Sequence, residues 1–349
     1  MKKPDIKISV KEYIKSSGFT ASRLTLKMEG RDMNTIIANT IRRVSMEDIP
    51  MYAFAYINIE HNDSVFNNSM MRVHLEQLPI YDIECGLHYL HPSFWKNVDY
   101  NDKNRQKHER EIIIDGVINA YNNTTDIMNV TTDNMEYYVE GERKEYPKRN
   151  KDAPILLIQL RPQETFKCVM KGCLGVGENN NMWSAAHTYY DEIEENKIEL
   201  TLESMGQMTE YDVLIKSCKL INMKLDNIKH EIKKRVADKT IKEEQTLILE
   251  LENEDHTIGN LINNLLQEHT DIIFAGLSKP NHLVKLIRFK IHGASSNSPL
   301  KALYEVIDFL MEVYNTIESN IQKMKPETKP EAKSEVNKSK SKKGKISID

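Results

Sequence analysis

The chain has 349 residues, 40% hydrophobic and 29% charged, with 13 glycines and a formal net charge of −4. That length holds two folding units, or one unit carrying an insertion. A net-acidic chain is poorly suited to gripping phosphate backbones, so direct nucleic-acid binding is the minority reading. The start, MKKPDIKISV, has neither the apolar run of a signal peptide nor that of a membrane span, which predicts an intracellular protein without a membrane partner. Cys85, Cys168, Cys173 and Cys218 form no CxxC pair, so a zinc site lacks its ligand spacing; reduced structural thiols and no cofactor are expected.

In chain order, Ile6, Ile8 and Val10, then Leu24, Leu26 and Met28, alternate as two strands. After Asp32 the period changes, and Ile37, Ile41 and Val44 mark a helix that stops before Pro50. From Met51 to Asn181 the pattern is mainly strand-like, with apolar runs at 52–59, 112–118 and 155–160 separated by polar loops at 97–110 and 131–152. Ile198, Leu200 and Leu202 form another strand. Beyond Gly206 a helical stripe runs through Leu214, Cys218, Ile221, Leu225, Ile228 and Ile232. Spacings of four and three suit a helix packed along another helix or an ordinary core helix, and either needs an apolar partner. Residues 233–245 read as a polar connector. A second module follows: a strand at Leu247, Leu249 and Leu251, then a helix with Ile258, Leu261, Ile262, Leu265 and Leu266 on one face, with Thr257 placed as its cap. Two strands, at 272–275 and 284–291, precede a helix opened by Ser298-Pro299, with Leu300, Leu303, Ile307, Leu310, Tyr314, Ile317 and Ile321 on one face. From Lys325 onward the composition is too polar to fold and predicts a basic disordered tail.

Several features invite a catalytic reading and do not sustain it. Gly175-Val176-Gly177 lacks the third glycine and the lysine of a phosphate cradle. His108-Glu109 lacks the second histidine of a metalloprotease helix. Asp191-Glu192-Ile193-Glu194-Glu195 lacks the tight spacing of a two-metal polymerase site and reads as a loop. His256 beside Asp255 reads as a locally bonded helix-start residue. Arg42 and Arg43 are adjacent on an amphipathic helix, so at least one points away from its apolar stripe; from the residues alone they are solvated arginines.

Asn39-Thr40-Ile41-Arg42-Arg43-Val44, followed by Glu47-Asp48-Ile49-Pro50, resembles the ANxLRRV…EIP signature of the alpha-like subunits of multisubunit DNA-directed RNA polymerases. The segment from Asn67 to Leu78-Pro79-Ile80 and the turn Leu202-Glu203-Ser204-Met205-Gly206 resemble further family segments in the same order. In the second half, Glu254-Asp255-His256-Thr257-Ile258-Gly259-Asn260-Leu261-Ile262 resembles the EDHTLGNLL signature of the smaller alpha-like partner. Phe274-Ala275-Gly276 with Pro280 and His282 resembles its FAGYxxPHP stretch. Gly175, Gly177 and Trp183 resemble the family's GxGxxHAKWSP loop, although Asn180, Asn181, Met182 and Ala185 depart from it; His74 and Glu76 also depart from the pattern. The family's cysteine-rich loop has no counterpart.

The resemblance implies an α+β fold of two alpha-like modules, fused as an intramolecular heterodimer with a shared four-helix core, as in large cytoplasmic DNA viruses. The expected division is residues 1–50 with 182–240 as the first module, 51–181 as its inserted β-rich domain, 241–324 as the second module and 325–349 as the tail. The expected dimer core is Ile37, Ile41, Leu214, Ile221, Leu225, Ile258, Leu261, Leu265, Leu303, Ile307 and Leu310. Arg42, Arg43, Gly175, Gly177 and Trp183 are expected to dock the large subunits. The implied role is a non-catalytic assembly platform whose partners are the largest and second-largest polymerase subunits and other small ones, with DNA met only through the complex. The competing reading is a stand-alone nucleic-acid-binding regulator using the Lys338–Lys345 tail.

Overall fold

The computed structural model describes residues 3–15, 22–83, 86–102, 104–147, 154–241, 244–295 and 298–326. The tail expectation therefore falls almost wholly outside the described residues, as does Cys85. Strands β1 (Lys7–Ile14) and β2 (Arg23–Glu29) pair antiparallel, Lys7 opposite Glu29. Helix α1 (Thr35–Glu47) starts where the Asn34 side chain accepts the Ile37 N–H at 2.9 Å. Its buried stripe is Ile37, Ile41 and Val44.

Next come β3 (Pro50–Asn62), α2 (Asn68–Glu76), the single turn α3 (Pro92–Trp95), β4 (Ile114–Tyr121), β5 (Met128–Thr131), β6 (Met135–Val139), β7 (Glu142–Lys144), β8 (Leu156–Leu160) and β9 (Thr165–Val176). They form a five-stranded sheet in the order β3-β9-β4-β6-β7 and a two-stranded one, β5-β8. Strands β10 (Ala186–Glu194) and β11 (Lys197–Ser204) return to the first sheet, completing the order β1-β2-β11-β10, and α4 (Glu210–Ala237) follows. The rest of the chain is β12 (Thr246–Glu252), α5 (His256–Glu268), β13 (Ile272–Ser278), β14 (Leu286–Gly293) and α6 (Ser298–Met324), with sheet order β12-β14-β13.

The sequence expectations need five corrections here. The polar stretch 131–152 holds β6 and β7, because Met135 and Tyr137 alternate into the interior among polar neighbours. Helices α2 and α3 lie in the stretch read as mainly strands. Asp191–Glu194 is not a loop but the end of β10, paired with β11. Helix α4 runs on to Ala237, into the supposed connector. Asp255, not Thr257, caps α5, its carboxylate accepting the Thr257 N–H at 2.8 Å.

Among the described residues two apolar cores result. One gathers the first sheet, the β12-β14-β13 sheet and helices α1, α4, α5 and α6. The other fills the interior of the 50–176 segment. Strand β3 serves both: Met51, Ala53 and Ala55 face the helical core, while Tyr52 and Phe54 face the other. A register shift between Phe54 and Tyr56 then swaps the faces, so that Tyr56 lies against the first core and Ile57 in the second. An extra residue in one strand has this effect, since side chains alternate with period two.

In the helical core, α4 and α6 lie antiparallel: Lys219 meets Glu318, Asn222 donates to Asn315 at 2.8 Å, and Lys229 bonds Asp308. Helix α1 packs on α4 and α5, and α5 on α6. Ile221, Leu225, Ile228 and Ile232 are essentially solvent-free along α4. Burial of such a side chain contributes roughly 1.5–3 kcal/mol, so this stripe is a main source of stability. Cys168, Cys173 and Cys218 are buried free thiols.

Candidate functional site

The C-terminal end of α1, the middle of α4 and the entry to α5 meet in a cluster of charges. Lys224, on α4, lies beside the apolar residues Ile221 and Leu225, and its Nζ is 3.0 Å from the Asp48 carboxylate and 3.9 Å from Glu254. The side chains of Lys224 and Glu254 are only 13% and 12% exposed. Arg43 reaches Glu47 at 2.8 Å and the α5 cap Asp255 at 3.2 Å. Lys285, just before β14, pairs with Glu178, whose N–H donates to the Glu47 carbonyl at 2.8 Å. Every acid here therefore has a cation nearby, and the pairs cross from residues 43–224 to residues 254–285.

The electrostatics follow from burial. Desolvation opposes the Lys224 charge, but Asp48 and Glu254 outweigh it and raise its pKa. Asp48 is the nearer partner, so one ammonium serves two desolvated carboxylates. Glu254 is the loser: burial pushes it up to about 7, against the pull of Lys224. Burial likewise works against Asp255, but the Thr257 N–H and Arg43 more than compensate and lower its pKa.

The expected core residues Ile37, Ile41, Leu214, Ile221, Leu225, Ile258, Leu261, Leu303, Ile307 and Leu310 are all buried in one cluster. Leu265 differs: it is half-buried at the rim, and Leu266 takes the fully enclosed position. The docking candidates divide. Arg42 is partly exposed and bonds Asn39 within its own helix at 3.0 Å. Arg43 is engaged by Asp255. Of the loop residues expected to dock, Gly175 and Trp183 are buried within the chain and Gly177 is half-buried. Trp183 is 1% exposed and donates to the Cys173 carbonyl at 2.9 Å. A Cβ at Gly175 would meet its ring at 2.4 Å, and one at Gly177 the Met46 carbonyl at 2.0 Å. These glycines let the loop lie against Trp183 and α1.

Sequence reasoning missed Asp48, Glu178, Lys224, Glu254 and Lys285. The available signal was weak, since Lys224 is one of several lysines flanking the apolar stripe of α4, and the acids stand in both motifs, Glu47-Asp48 and Glu254-Asp255. Among the described residues no group of three or more His, Cys, Asp or Glu could hold a metal, and no helix is long and apolar enough to cross a membrane. The arrangement binds elements to one another rather than presenting reactive groups.

Comparison with known proteins gives a consistent result. Residues 246–320 match the RNA polymerase Rpb3/Rpb11 dimerisation domain. The protein R470 of Acanthamoeba polyphaga mimivirus, named as a DNA-directed RNA polymerase subunit, is 28% identical over 348 residues, covering 92% of this chain and 95% of the relative. DNA-directed RNA polymerase subunit Rpo11 of Sulfolobus acidocaldarius is 34% identical over 87 residues, 25% of this chain and 97% of that subunit. RNA polymerase II subunit rpb11 of Dictyostelium discoideum is 34% identical over 67 residues, 19% of this chain and 56% of its own. With a fold that mixes helices and sheets around that domain, the chain belongs to the family of DNA-directed RNA polymerase subunits of the Rpb3/Rpb11 type.

Proposed function

We propose that this chain is a non-catalytic assembly platform of a DNA-directed RNA polymerase, built from two alpha-like modules fused in one polypeptide. In this reading residues 1–50 and 182–240 form the first module, 51–181 its insertion and 241–324 the second. The modules pair as an intramolecular heterodimer. The observation that carries the proposal is the core shared by α1 and α4 with α5 and α6, sealed by charge pairs from Arg43 to Asp255 and Lys224 to Glu254. Fusion holds the modules at effective concentrations on the order of millimolar, so their pairing no longer depends on two chains meeting. The near full-length match to a mimivirus protein supports a viral polymerase as its setting.

The outer surface would receive the largest and second-largest subunits, with catalysis in those chains. Arg42, partly exposed on α1, is the better candidate contact to the second-largest subunit; Arg43 is the better candidate for holding the modules together. A planar guanidinium suits paired bonds to carboxylates and carbonyls at such an interface. Affinity capture with the tagged chain after nuclease treatment tests this. The two large subunits should co-purify, and their absence would sink the proposal. Arg42→Ala should reduce capture of the second-largest subunit by about tenfold or more while leaving the fold intact. Wild-type capture would return Arg42 to an ordinary surface role.

A further inference from the structure

The two halves of the helical core share one plan. The first runs β2, α1, β10, β11, α4, and the second β12, α5, β13, β14, α6. Their sheets correspond strand for strand, β2-β11-β10 against β12-β14-β13. Among the described residues the first sheet has one strand more: β1 lies along the outer edge of β2, and the same edge of β12 has no strand.

The register identifies the open groups. Gly293 donates to the Gln245 carbonyl and Asn253 to that of Lys285, both at 2.9 Å, so odd-numbered residues of β12 exchange bonds with β14. Thr246, Ile248, Glu250 and Glu252 then turn their N–H and C=O groups to the outer edge. Among the described residues one bond reaches this edge, from Arg235 Nη1 to the Glu250 carbonyl at 2.6 Å. Ile248 is also 59% exposed. An unpaired strand edge of this kind accepts an added strand.

The chain carries a segment suited to it. Strand β1 begins Lys7-Ile8-Ser9-Val10, and near the end of the sequence stands Lys345-Ile346-Ser347-Ile348, the same residue types in the same order but for one β-branched exchange. Within a polar tail composition, this stretch alternates as a strand does. We infer that residues 345–349 add to the open edge of β12, antiparallel to it, completing the second sheet as β1 completes the first. Charge favours the pairing, since Lys342, Lys343 and Lys345 would approach Glu250 and Glu252. The reach suffices. Lys325 sits beside Asp212 at the start of α4, and Arg235 beside Glu250 at its other end, a separation of roughly 35 Å at helical rise. Residues 326–344 span up to about 60 Å when extended.

Hydrogen exchange resolved to single residues, on the isolated full-length chain and on one ending at Lys343, tests the pairing. The Ile248 and Glu250 amides should exchange about tenfold or more slowly in the full chain and lose that protection on shortening. A chain with Ile346→Pro and Ile348→Pro should behave like the shortened one, because proline has no N–H to donate. Equal rates in the full and shortened chains would overturn the inference. So would protection that survives shortening and varies with protein concentration, which would mark a second copy on the edge, or protection that arises only with other polymerase subunits present.

Discussion

Arg105 and Glu111 face each other with side chains only 4% and 2% exposed. Arg105 also reaches Cys173 Sγ at 3.3 Å, and Glu111 accepts the Leu174 N–H at 3.2 Å, so this pair staples the long loop before β4 onto β9. Glu111→Ala should destabilise the protein by about 3–5 kcal/mol in denaturant unfolding, because it strands a guanidinium away from water. Arg105→Met combined with Glu111→Leu should recover most of that loss, since removing both charges together removes the unpaired one. Glu254 makes a pH prediction. Its folded pKa, about 7, stands above an ordinary value near 4.5, so the folded chain holds a proton that the unfolded chain releases earlier. The resulting stabilisation is complete below pH 4.5 and is lost as pH rises to about 7, amounting to no more than about 3 kcal/mol. Subtracting the Glu254→Gln profile from that of wild type should expose this slope, and identical profiles would reject it.

At the scale of elements, the rim and the centre of α5 should respond differently. Leu266 is solvent-free and Leu265 is not, so Leu266→Asp should cost several kcal/mol in thermal or denaturant unfolding and Leu265→Asp about 1. Gly177→Ala should lower stability measurably by forcing the loop off the Met46 carbonyl. Period alone showed the stripes of α1, α4, α5 and α6 and the strands flanking them, because each has one wet and one dry face. It did not separate Leu265 from Leu266, which are neighbours at the border of the same face. Nor did it find β6 and β7, because β6 is only five residues long and β7 is three charged residues, too short a run for a period to show. The ion-pair cluster was hidden for another reason: Asp48, Lys224 and Glu254 are far apart in sequence and ordinary in type, and only packing brings them together. Arg43 was singled out from the sequence for docking a large subunit, whereas its ion pair with Asp255 was not legible there.

For the molecule as a whole, the shared core predicts what division of the chain would do. Residues 1–241 and 244–349 produced separately should be poorly soluble, each exposing half of a common apolar interior; co-produced, they should form a stable one-to-one complex by size-exclusion chromatography. Two individually well-behaved fragments would argue against one interior. Strand β3 adds a consequence for how the protein comes apart. Because its two faces lie in different cores and its register shift crosses between them, neither core can open without stripping the strand that also lines the other. A segment long enough to be an autonomous domain is thereby denied its own melting event. Calorimetry should record one cooperative transition with matching calorimetric and van't Hoff enthalpies, where a tethered independent domain would give two.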